Sequence, residues 1–159
     1  MAMHEAQGLG GRLTIELHAP DGRTVLARRH DNLITATGQT LVARLFTGEV
    51  SGKPELHIAV GDSAAKETLQ DTALGHQLDA AAAEIPPIGA MTGDNPPRAR
   101  AIVKANFPAL TSGQDQTLRE AGILVVFPNR GPLLYNRVTF PDITRTANLE
   151  MTLTWEVFF

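Results

Sequence analysis

The closing segment, Leu149 to Phe159, constrains the fold more than any other part of the chain. Leu149, Met151, Leu153, Trp155, Val157 and Phe159 fall on alternate positions, with Glu150, Thr152, Thr154 and Glu156 between them. Strand side chains alternate between the two faces of a sheet, so this period of two predicts a strand with one apolar and one wet face. Burying that apolar face is worth roughly 10 kcal/mol or more before chain entropy, at about 1.5–3 kcal/mol per large side chain. Phe158 alone interrupts the polar side. A lone aromatic there reads as a contact for a neighbouring subunit.

The same period recurs upstream. Arg12 to His18 alternates, Pro20-Asp21-Gly22 is a strong turn signal, and Thr24 to Arg29 can return as the second strand of a hairpin. Glu55 to Val60, Arg98 to Phe107, Leu118 to Phe127 and Leu133 to Phe140 read as further strands. Pro141-Asp142 and Arg145 to Asn148 bound a short link. Between Asn32 and Gly48 the period changes: Leu41, Val42, Leu45 and Phe46 recur at helical spacing. Thr35 or Thr37 can cap the start of that helix and Gly48 its end, which predicts a helix over about 36–47. Ala64 to Gln77 is polar and turn-rich, Ala80 to Ala83 suits a short helix that Pro86-Pro87 would end, and Ile88 to Pro97 reads as an exposed loop. The expected architecture is mainly β: an antiparallel sandwich, jelly-roll-like, with one helix packed on it. Residues 1–11 are expected to be a flexible lead-in and 12–159 a single domain.

Composition narrows the function. Among 159 residues, 43% are hydrophobic and 19% charged, and the net charge is −3. That acidic balance lacks the basic footprint of a nucleic-acid binder. With no cysteine, there is no disulfide, thiolate metal site or cysteine nucleophile. No apolar run reaches the roughly 18–20 residues of a membrane span, and no signal-peptide core opens the chain, so a soluble protein is expected. His4, His18, His30, His57 and His76 include no pair at helical metal-binding spacing. Ser51, Ser63 and Ser112 lie outside any Gly-x-Ser-x-Gly elbow, and no phosphate loop is present. Asp62, Glu67, Asp71, Asp79 and Glu84 could supply an acid–base pair, but a solvated loop explains them equally well.

The compact basic residues are therefore read as contacts rather than as chemistry. Arg28 and Arg29 form one group and Arg98 and Arg100 another. Together with Phe158 they are the candidate interface residues. No catalytic, cofactor-binding or metal-ligating residue is assigned, and no cofactor is expected.

Six short motifs stand in a fixed order: Asn32-Leu33-Ile34-Thr35 with Gly38 and Leu41 to Leu45; His57-Ile58-Ala59-Val60-Gly61-Asp62; Asp71-Thr72-Ala73-Leu74-Gly75; Arg119-Glu120-Ala121-Gly122-Ile123; Leu134 to Phe140 followed by Ile143-Thr144-Arg145-Thr146; and the final strand. In this order they resemble small tail-, baseplate- and fibre-associated structural proteins of bacteriophages and related contractile injection systems. The resemblance covers about residues 32–159. Arg145 stands where that family often carries Lys, and Ala80 to Arg98 has no clear counterpart.

The resemblance implies a non-enzymatic structural subunit that acts through contacts with copies of itself and with other particle proteins. Its implied location is a virion or tail-like particle assembled in the bacterial cytoplasm. A receptor- or carbohydrate-binding module at a fibre tip is the alternative, with a glycan as its partner. An enzyme assembled from scattered residues is the third possibility left by the sequence.

Overall fold

The computed structural model describes residues 9–111 and 113–159. Its elements in chain order are β1 (Gly10–His18), β2 (Thr24–Asp31), β3 (Leu33–Ile34), α1 (Ala36–Thr47), β4 (Glu55–Gly61), β5 (Gln77–Ala82), β6 (Arg100–Phe107), β7 (Gln116–Val126), β8 (Leu133–Leu134), β9 (Asn136–Arg145) and β10 (Glu150–Phe158). They form two antiparallel sheets, β2-β1-β10-β6 and β3-β9-β7-β4-β5, with β8 joined to β7. Over the described residues the protein is mainly β, a sandwich with one helix.

The closing strand is central to the first sheet. It pairs with β1 on one side, Leu13 opposite Trp155 and Ile15 opposite Leu153, and with β6 on the other, Trp155 opposite Val103. Leu13, Ile15, Val103, Met151, Leu153 and Trp155 are all buried against the second sheet. The strand predicted from Arg12 begins two rungs earlier, because Gly10 and Gly11 pair with Phe158 and Val157. The rest of the predicted flexible lead-in, up to Gly8, lies outside the described residues.

In the second sheet the alternation disappears. Ile58, Ala59 and Val60 are consecutively buried in β4, as are Glu120 to Val125 in β7. Leu74 and Leu134 cover one face of these strands while the first sheet covers the other, so both faces are dry. The expected helical turn at Ala80–Ala83 is instead the end of β5 and its continuation. Ala80 to Ala82 pair with Ala59, Ile58 and His57, and Ala83 N–H donates to the Leu56 carbonyl. Alanine's helical preference is weak beside a complete set of ladder bonds. Glu84 then crosses to the other sheet, exchanging both backbone bonds with Lys104.

Leu133 to Phe140, predicted as one strand, is split between β8 and β9. The latter runs on through Pro141 and Asp142 to Arg145, where a link was expected. A proline is tolerated there because β9 pairs with β3 only at Asn136 and Arg137, leaving the rest of that side as an edge. Glu67 caps part of the same edge by accepting from the Thr139 N–H at 3.1 Å.

Helix α1 matches its predicted bounds. Thr35 caps it by accepting from the Gly38 N–H at 3.0 Å, and Gly48 ends it with a left-handed φ of 75°. Gly38 allows the helix to lie directly on β9's approach, since a Cβ there would collide with the Tyr135 carbonyl oxygen. Only Gly38 and Leu41 of the helix are buried.

Candidate functional site

The ordered motifs meet at one end of the second sheet. Glu120 of β7 is fully buried. Its carboxylate accepts from three backbone N–H groups: His76 at 2.7 Å, Gly75 at 2.9 Å and Ser63 at 3.3 Å. Arg137 of β9 donates to the same carboxylate through Nε at 2.9 Å and Nη2 at 2.8 Å. Its Nη1 reaches Asp71 at 3.0 Å, and Nη2 also donates to the Ala65 carbonyl at 2.8 Å. Asp71 in turn accepts from the Thr68 N–H and hydroxyl.

This cluster is a latch that ties the segment from Ser63 to His76 onto the sheet. Burial alone would lower the Arg137 pKa, but the Glu120 and Asp71 carboxylates outweigh it and hold the guanidinium above its ordinary value. Burial pushes the Asp71 carboxyl up. The Thr68 N–H and the Arg137 guanidinium pull harder, leaving it below the usual range. Gly61 is required beside the latch, because a Cβ there would strike the His76 carbonyl oxygen and Glu120 Oε1. The first motif joins the same region: Thr35 donates its hydroxyl to the Leu134 carbonyl at 2.7 Å, and Ala36 N–H reaches the Leu69 carbonyl.

The acidic residues singled out from the sequence are thus largely committed. Asp71 and Glu67 hold the latch segment, and Asp62 contacts His76 at 2.6 Å. Asp79 approaches Arg145 at 3.7 Å. Burial lowers the Arg145 pKa against the opposing pull of Asp79, and its guanidinium also donates to Gln116 and to the Pro108 carbonyl. Among the described residues, no group of three or more His, Asp or Glu side chains could hold a metal ion. Among the described residues, no helix is long and apolar enough to cross a membrane.

The candidate interface residues separate into two places. Arg98, Arg100 and Phe158 come together near the end of β10. The Arg98 guanidinium lies 4.0 Å from the centre of the Phe158 ring, and Arg12 covers it from 6.0 Å. Phe158 is only 5% exposed, which corrects its reading as a free contact for a neighbour. The cause is the cationic lid, which stabilises the ring face while shielding it from water. Arg100 pairs with Glu156 at 3.5 Å and Arg98 with Asp94 at 3.5 Å, both within the chain. Arg28 and Arg29 lie on β2, opposite Ile15 and Thr14. Arg28 shares the inner face of the sheet with Ile15, and an inward charge on an outer strand discourages edge-to-edge pairing.

Sequence reasoning missed an apolar cleft between α1 and the sandwich. It has a volume of about 300 Å³ and is lined by Leu41, Val42, Leu45, Val125, Tyr135 and Phe159, among others. The Tyr135 hydroxyl is buried without a hydrogen-bond partner, and burial pushes its pKa up to about 12. The sequence signal was the apolar stripe of α1, read there as helix packing. Only Leu41 of that stripe is buried, and Phe46 is 91% exposed.

No protein-family model matches the chain, and no curated protein or solved structure is significantly similar to it.

Proposed function

We propose that the chain is a non-enzymatic structural subunit of a phage tail or phage-tail-like particle, in the tail, baseplate or fibre attachment. The observation that carries this reading is the convergence of four ordered motifs on the Glu120–Arg137–Asp71 latch. Every polar atom of those three side chains is engaged, with backbone, with one another or with the Thr68 hydroxyl. In this chain the motif residues shape a loop and keep it in place, as a part that works by contact requires. The exposed apolar residues around α1, Leu45, Phe46, Ile85 and Phe159, support the same reading, since exposed apolar side chains grouped around a cleft mark interaction surfaces.

No specific observation favours the carbohydrate-binding alternative. Trp155 is fully buried, and the cleft is lined by hydrocarbon where sugar hydroxyls need polar partners. The test is to tag the chain in a host that produces the particles and purify it under native conditions. Stoichiometric recovery with tail or baseplate proteins is expected. A monomer recovered free of any particle protein would refute the reading.

A further inference from the structure

We propose that two copies of this chain pair through α1, with Phe46 of each seated in the cleft of the other. This rests on the subunit reading only in naming its contact surface, and it fails or stands separately.

Three observations carry it. First, the cleft is a hole of the right kind. An apolar cavity of about 150 Å³ accepts benzene, so about 300 Å³ takes a phenylalanine side chain. Second, the knob stands on the same surface. Phe46 follows Leu45 and lies one helical turn beyond Val42, and both of those residues line the cleft. At 91% exposure its ring is the most exposed of the large apolar side chains described. A knob beside its own matching hole is self-complementary: a two-fold axis places each knob in the partner's hole and closes the assembly at two copies. Third, the charges suit a like partner. Arg44 and Glu49, both well exposed, lie on either side of Phe46 in the sequence and pair with each other at 3.6 Å, so this part of the rim carries no net charge to repel a like copy.

The rim favours a polypeptide over a small molecule. A ligand filling the cleft would still leave Phe46, which is not part of its lining, in water, whereas a second copy covers it.

Sedimentation equilibrium of the full chain tests this, alongside Phe46→Asp and Val25→Asp. Both positions are exposed, so both variants should retain the native circular dichroism and melting temperature. A dimer is expected for the native chain and for Val25→Asp, with association weakened at least about tenfold in Phe46→Asp. A native chain that stays monomeric at about 100 µM would overturn the proposal, as would Phe46→Asp dimerising like the native chain. A native monomer that still co-purifies with particle proteins would overturn the pairing while leaving the subunit reading intact. A dimer found in solution without any particle partner would do the reverse.

Discussion

Glu120 and Arg137 sit on neighbouring strands, β7 and β9, and meet at 2.8 Å with both side chains almost entirely removed from water. A buried ion pair is not by itself a source of stability, because desolvation offsets much of the attraction, but breaking one is costly. Glu120→Gln is expected to lower unfolding free energy by about 3–5 kcal/mol in urea titration, since it leaves the Arg137 cation under-compensated. Replacing both partners by Met should not restore stability. The N–H groups of Ser63, Gly75 and His76 would lose their acceptor, costing about 1–3 kcal/mol each where buried. A double variant as stable as the native chain would show that the latch is dispensable.

Stability should fall with acid in two stages. Burial, with the nearby Arg28 charge, lowers the His30 pKa from 6.5 despite Asp31, and the ring stacks on Phe140 at 5.4 Å. A depressed histidine resists protonation in the folded state, so its contribution is full above about 6.5 and is lost as pH falls through and below that value. Asp71 acts lower. Its depressed pKa stabilises the fold above the usual carboxylate value of about 3.9, and that stability is lost as pH falls further. His30→Phe should abolish the first stage and leave the second, as read by melting temperature across pH. An unchanged first stage in that variant would assign it to another group.

How far these features could be seen in the sequence depends on burial geometry. β1 and β10 were readable because one face is dry and one wet, and α1 because Thr35 and Gly48 cap it locally. β4 and β7 are legible as strands, from Glu55 to Val60 and from Leu118 to Phe127, but with both faces covered their burial does not alternate, and β5 is strand-forming only through its partner β4. Glu120 could not be singled out as a buried anion. Its partners come from residues 63, 75, 76 and 137, which only the folded topology brings together. Phe158 was misread for a similar reason: Arg98, the residue that covers it, comes from a loop far away in sequence.

Trp155 is expected to be the costliest single aromatic to remove. It is fully buried, and its Nε1–H donates to Asn32 Oδ1 at 2.6 Å. Trp155→Ala should lose about 3–5 kcal/mol. Trp155→Phe should keep most of the packing yet lose about 1–3 kcal/mol, because the Asn32 oxygen is left without its donor. A loss under about 1 kcal/mol for the alanine variant would contradict the ring's place in the core.

Phe158→Ser should act on folding. Removing the ring beneath Arg98 and Arg12 is expected to cost about 2–4 kcal/mol in denaturant melting. Assembly, corrected for the folded fraction, should not change. Unaltered melting with weakened assembly would instead restore this residue as an interface contact.

The central claim, that this chain is a structural part of a tail-like particle, is tested most directly by electron microscopy of native particles. Density for this β-sandwich is expected at a fixed, symmetry-repeated position in the tail, baseplate or fibre attachment. Particles that are complete and infectious or contractile without this chain, and that carry no density for it, would contradict the claim.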